Sequence, residues 1–129
     1  MTKKILIVDD EPNIVAALEY FLQRSHYEVL TARDGDAALR QVEEHLPDLV
    51  LLDVMMPARS GYEVCQRIRE RAEWRDIKII MLSAKGREAE VSKGLSLGAD
   101  LYVTKPFSNA DLVARIDELL GNAPRPAGT

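Results

Sequence analysis

The chain has 129 residues, 47% apolar and 29% charged, the balance of a single globular domain that can bury its own core. A net charge of −4 with no basic block or stripe argues against nucleic acid as a direct partner, and the lone Cys65 excludes an internal disulfide and a cysteine-cluster zinc site. Only Lys3 and Lys4 precede the first apolar run, too little for a signal peptide, and no segment approaches the roughly 20 apolar residues of a membrane span, so a cytoplasmic protein is expected.

Ile5 to Val8 is a short β-branched run that reads as a buried strand, ending in the acidic stretch Asp9-Asp10-Glu11. Pro12 then starts a helix, because its missing N–H is not needed in the first turn. Ile14, Leu18, Phe21 and Leu22 mark that helix's buried face. Glu28 to Ala32 is a second strand. Asp34-Gly35-Asp36 opens a helix with Ala38, Leu39, Val42 and Leu46 turned inward, and Pro47 stops it.

Asp48 to Asp53 is the third strand. Its Leu49 to Leu52 run has no alternation, the pattern of a strand covered on both faces. Ser60 and Glu63 have capping-box spacing, so a helix is expected from there to about Ala72, with Tyr62, Val64, Cys65 and Ile68 in its apolar pattern. Cys65 is therefore read as a packed core thiol and not as a nucleophile. Trp74 falls in a loop as a surface or packing residue, and His26 and His45 at the surface.

Ile77 to Leu82 forms a fourth strand that delivers Ser83 and Ala84 to its end. A weaker helix follows over Arg87 to Leu97, anchored by Val91 and Leu95, with Gly94 inside it and Gly98 as its C-terminal stop. Leu101 to Thr104 is the fifth strand, ending at Lys105-Pro106. Ser108 and Asp111 repeat the capping spacing before a helix with Leu112, Val113, Ile116, Leu119 and Leu120 as its stripe.

Five strands alternating with five helices imply an α/β fold: a doubly wound five-stranded parallel sheet, order 2-1-3-4-5, with helices on both faces. Residues 1–121 form the domain and 122–129 a flexible tail or the start of a linker. Every strand then points the same way, so Asp9, Asp10, Asp53, Ser83 and Lys105 gather at one edge, where open α/β sheets bind ligands.

Taken singly, Asp53 could cap a turn, Asp9-Asp10 could be a solvated loop, Lys105 a surface charge and Ser83 a turn residue. Together they make a site. Three converging carboxylates need a counter-charge, and magnesium (Mg2+) prefers such oxygen ligands. Asp10 and Asp53 would bind it directly, and Asp9 directly or through water. With Lys105 as a fixed cation and Ser83 as a hydroxyl donor, the group is a cradle for a phosphoryl group carried on an aspartate.

The motifs Val8-Asp9-Asp10-Glu11-Pro12, Asp53 to Pro57, Ser83-Ala84 and Lys105-Pro106-Phe107, in this order, resemble the receiver domain of bacterial two-component response regulators, a flavodoxin-like (CheY-like) fold. The resemblance runs from about Lys3 to Gly121. It implies that Asp53 accepts a phosphoryl group from a phosphohistidine on a sensor histidine kinase or phosphotransfer protein. It further implies that Asp9, Asp10, Asp53 and the backbone carbonyl of Met55 hold Mg2+, and that Ser83 and Lys105 bind the phosphoryl oxygens. Tyr102 matches the family's switch aromatic.

No enzymatic activity is implied beyond the protein's own phosphorylation and dephosphorylation, which Met55 and Lys85 would tune by controlling water access. The output face would comprise the fourth helix, fifth strand and fifth helix. Val91 and Leu101 stand where the winged-helix transcription-factor subfamily commonly has a basic and an acidic residue, so a monomer or weak dimer is expected, although Asp111 and Arg115 are present.

Competing classes fit less well. A phosphoaspartyl hydrolase would carry a second aspartate where Met55 stands. A flavin or dinucleotide binder needs a glycine- or hydroxyl-rich first loop, which Asp9-Asp10-Glu11 is not. The alternative reading is a phosphate-independent interaction scaffold built on the same domain.

Overall fold

Five apolar runs become five parallel strands, each followed by a helix that returns the chain to the same end of the sheet. In the computed structural model these are β1 (Lys4–Val8), β2 (Glu28–Ala32), β3 (Leu49–Asp53), β4 (Lys78–Ser83) and β5 (Leu101–Thr104). The helices are α1 (Pro12–Arg24), α2 (Gly35–His45), α3 (Gly61–Glu70), α4 (Glu88–Ser96) and α5 (Asn109–Leu119). The structure describes residues 2–56, 60–84 and 86–121. Pro57, Lys85 and the expected tail at 122–129 lie outside the described residues.

The strand order is β2-β1-β3-β4-β5, as expected. Register explains why β1, β3 and β4 read as unbroken apolar runs. Alternate residues point to opposite faces, and both faces are covered. Leu6, Val8, Val50, Leu52, Ile79 and Met81 join Val42, Val64 and Ile68 in one core layer. Ile5, Ile7, Leu49, Leu51, Ile80 and Leu82 join Leu18, Leu22, Leu112 and Ile116 in the other.

The helix starts are those of the sequence. Pro12 occupies the first turn of α1. The side chains of Asp34, Ser60 and Ser108 accept hydrogen bonds from Ala37, Glu63 and Asp111 backbone N–H groups at 2.8, 3.3 and 3.3 Å. Gly98, at φ +110°, takes the left-handed position after α4 that a side chain would resist.

Four expectations fail locally. Phe21 is 39% exposed, because the stripe that meets the sheet is centred on Leu18 and Leu22 and leaves Phe21 at its margin against Tyr20. Leu46 is 58% exposed: α2 stops at His45, and Leu46 turns into the left-handed region at φ 47°. Leu95 is 45% exposed, and the position of α4 that is buried on the sheet is Gly94. Helix α3 ends at Glu70 rather than Ala72; Ala72–Trp74 forms a separate 3-10 turn, with Trp74 buried beneath the Arg71 guanidinium. His26 and His45 are exposed as expected, and Cys65 is buried.

Two polar braces close the rest of the fold. Arg69 at the end of α3 donates to the carbonyls of Gly98 (2.9 Å) and Ile77 (2.7 Å) and to Asp100 (3.0 Å). The buried Tyr27 hydroxyl donates to buried Asp117, tying the start of β2 to α5.

Candidate functional site

The parallel topology brings Asp9, Asp53, Ser83 and Lys105 to one edge, each just past or at the end of a different strand. Asp9 follows β1 and is 1% exposed; Asp53 ends β3 and is 3% exposed; Ser83 ends β4 and is fully buried. Asp10 is exposed beside them. One carboxylate oxygen from each of Asp9, Asp10 and Asp53 can be chosen so that all lie within 4.8 Å of one another.

Backbone contacts hold this geometry. The Asp9 N–H donates to the Ala32 carbonyl at 3.1 Å, and the Lys105 N–H donates to the Ser83 carbonyl at 2.8 Å. The Val54 N–H donates to the Leu82 carbonyl at 3.0 Å, fixing the chain just past Asp53. The Lys105–Pro106 peptide is cis. Register pairs Asp53 with Leu82, so Ser83 stands one residue beyond it, and pairs Ser83 with Thr104, the residue before Lys105.

Lys105 is the positive centre. Its ammonium lies 3.3 Å from Asp9 Oδ2, 3.6 Å from Glu11 Oε1 and 3.7 Å from Asp53 Oδ1. Burial opposes its charge, but Asp53, Asp9 and Glu11 together outweigh that and push its pKa up. It stays an ammonium.

Asp53 is the strained member. Burial, then the negative charge of Asp9, push its carboxyl from 3.8 up to about 6, against the opposing pull of Lys105 and of the Met55 N–H. That N–H donates to Asp53 Oδ1 at 3.2 Å, while the Met55 side chain is 55% exposed. A buried carboxylate between two others, with one ammonium for company, is short of positive charge. Oxygen donors this close, and this under-neutralised, fit a hard divalent cation.

Every sequence-predicted site residue is thus at or beside this edge except Tyr102, which lies on β5 against α4. Two neighbours were not anticipated. Glu11 supplies a third carboxylate to Lys105, a role its place in the acidic loop allowed but did not specify. Gly61, the first residue of α3, lies against the backbone of Asp53: a Cβ there would come within 2.4 Å of the Asp53 carbonyl oxygen. The available signal was a glycine directly after the capping serine.

Residues 5–117 match the response regulator receiver domain family. The chain is 49% identical over 120 residues to the alkaline phosphatase synthesis transcriptional regulatory protein PhoP of Bacillus subtilis, covering 93% of this chain and 49% of that protein. The chain therefore spans about half the length of this relative. Among solved structures it is similar to the BeF3-activated receiver domain of DrrB, at 38% identity and TM-score 0.86 over 95% of this chain and 100% of that one; DrrB is a Thermotoga maritima protein. It is also similar to the chemotaxis response regulator CheY4 of Vibrio cholerae, at 29% identity and TM-score 0.87 over 92% of this chain and 99% of that one. The fold, the acidic cluster facing a half-buried lysine and the match over nearly the whole chain agree: this chain belongs to the response regulator receiver domain family, the signalling switches of bacterial two-component systems.

Proposed function

We propose that this domain is a phosphorylation-dependent switch that accepts a phosphoryl group on Asp53 from a phosphohistidine of a sensor histidine kinase or phosphotransfer protein. The observation that carries the reading is the placement of the Lys105 ammonium within 3.7 Å of Asp53, in a group of three carboxylates whose oxygens approach within 4.8 Å.

Asp9, Asp10, Asp53 and the Met55 carbonyl are the residues that would hold Mg2+. When bound, the ion supplies charge neutralisation for carboxylates and phosphoryl oxygens alike. Asp53 attacks phosphorus with one carboxylate oxygen. The phosphorus–nitrogen bond of the donor breaks, and its electron pair leaves with the imidazole, which takes up a proton. Lys105, held by its backbone N–H on Ser83, would exchange its contact with Asp9 for an equatorial phosphoryl oxygen, and Ser83 would offer a hydroxyl to another. Burial of Asp53 limits the approach of hydrolytic water.

The added charge would draw Ser83 and its loop toward the phosphoryl group and alter Tyr102, α4, β5 and α5 as the output face. We place the end of the domain at Gly121 and read the protein as a monomer or weak dimer. Likeness to a protein named as a transcriptional regulator supports control of transcription as the output, with this domain supplying the switch and not the nucleic-acid contact. Among the described residues no helix is long and apolar enough to cross a membrane.

Incubation with Mg2+ and acetyl phosphate, followed by intact mass and peptide mapping, tests the reading. One phosphoryl group on the Asp53 peptide is expected, abolished by Asp53→Ala and by chelation of the metal. Labelling at another residue, or none in the parent, refutes it.

A further inference from the structure

The first turn of α3 joins the candidate site to α4, and the joint is a tyrosine. The Gly61 N–H donates to the Val54 carbonyl at 2.9 Å, and the Gly61 backbone is pressed onto the Asp53 carbonyl closely enough to exclude any side chain. The next residue, Tyr62, reaches the other way. Its hydroxyl donates to the Glu90 carbonyl in α4 at 3.2 Å, and the Lys93 ammonium lies 4.5 Å from its ring centre. The Tyr102 hydroxyl is a neighbour of the Tyr62 hydroxyl; burial, then that neighbour, push the Tyr62 phenol up to about 12.

Helix α4 is seated directly on this pair. At Gly94 a Cβ would come within 2.7 Å of Met81 Sδ and 2.9 Å of the Tyr102 ring, so the ring and the methionine occupy the space where a larger residue would have a side chain. The seat is not fully satisfied. Glu90 Oε2 is buried with no hydrogen-bond partner among the described residues, an unfavourable position for a carboxylate oxygen. The Glu90 carboxylate therefore opposes the seat that the Tyr62 hydroxyl helps to hold.

We propose that Tyr62 is a positioning residue that latches α4 and Tyr102 in the resting arrangement, so that it opposes uptake of the phosphoryl group at Asp53. This rests on Asp53 as the phosphoacceptor and adds a residue outside the phosphoryl-binding set. Gly61 packs directly on the Asp53 carbonyl, so a shift of the Asp53 backbone must displace the first turn of α3, which carries Tyr62. Because the proposed latch is made only in the resting arrangement, linkage requires that weakening it favour the occupied state.

The test is calorimetric titration with beryllofluoride in excess Mg2+, together with amide hydrogen exchange over residues 88–96 without ligand. Parent, Tyr62→Phe, Tyr102→Phe and the double variant are compared. Tyr62→Phe should bind about 3- to 10-fold more tightly, the worth of one net hydrogen bond, and exchange faster across α4. Tyr102→Phe removes the hydroxyl beside that of Tyr62, and the double variant should gain less than the sum of the two. Unchanged or weaker binding by a folded Tyr62→Phe, or unchanged exchange in α4, overturns the latch. If the parent takes up no beryllofluoride, the phosphoacceptor reading and the linkage to it both fail, while the exchange comparison still decides whether Tyr62 holds α4.

Discussion

Replacing Asp53 with asparagine should stabilise the metal-free protein, although it deletes the residue on which the proposed chemistry depends. Asp53 is raised from 3.8 to about 6 by burial and by Asp9, so the native state holds its proton over a pH range in which the unfolded chain has released it. For such a group the unfavourable contribution is absent below about pH 4, grows as pH rises and is complete above about pH 6. At about 1.36 kcal/mol per pKa unit, the interval corresponds to about 3 kcal/mol. The Asp53 side chain is only 5% exposed, so solvent screens this little. Asparagine keeps an oxygen for the Met55 N–H, and Lys105 keeps Asp9 and Glu11.

The assay is thermal and urea denaturation of parent and Asp53→Asn in EDTA. At about pH 8 the variant should melt about 10 °C higher, and at about pH 4.5 the gap should fall to about 1 kcal/mol or less. Saturating Mg2+ should stabilise the parent and not the variant, narrowing the gap at high pH. A variant no more stable than the parent at about pH 8 in EDTA, or a gap that does not change with pH, refutes the electrostatic account of the site.

Three further outcomes follow from other contacts. Gly61→Ala must push the Asp53 backbone aside, and should cut the initial rate of acetyl phosphate labelling at least about 10-fold, the size of effect expected from a misplaced reacting group; a labelling rate like the parent's would contradict that close approach. Arg69→Ala removes donors to Gly98, Ile77 and Asp100 and should cost about 2–4 kcal/mol in urea denaturation, with Arg69→Lys recovering only part, because an ammonium cannot reach all of them at once. Leu46→Asn should raise stability by about 0.5–1 kcal/mol, since Leu46 is 58% exposed at φ 47° and has strain to lose and little packing.

What could be read from the chain was what depends on local periodicity. The unalternated runs Ile5 to Val8 and Leu49 to Leu52 require cover on both faces, and strands alternating with helices leave few topologies that supply it. The same periodicity fails at helix margins. It counts Phe21 and Leu95 as inward because they recur at three or four residues, yet the sheet meets only the middle of each stripe. It also carries α2 through Leu46, because nothing in the spacing distinguishes a last helical turn from a left-handed stop. Gly94 was visible only as a weak point in a helix. Its seat on Tyr102 and Met81 depends on two other elements, which no local pattern contains.

The site was legible for a topological reason. Asp9, Asp53, Ser83 and Lys105 are far apart in the chain but each is at or just past a strand end, so parallel strands must collect them. That rule places side-chain chemistry and is silent about backbone contact. The closeness of Gly61 to the Asp53 carbonyl, and the onward reach of Tyr62 to Glu90 and Tyr102, come from how α3 docks under the strand end. The two kinds of residue therefore answer different questions. The gathered carboxylates and Lys105 account for why a metal and a phosphoryl group would be held, because the site is short of positive charge without the one and has a cation poised for the other. The first turn of α3 is the proposed route from Asp53 to α4: Gly61 lies directly on the Asp53 carbonyl, and Tyr62 donates to the Glu90 carbonyl.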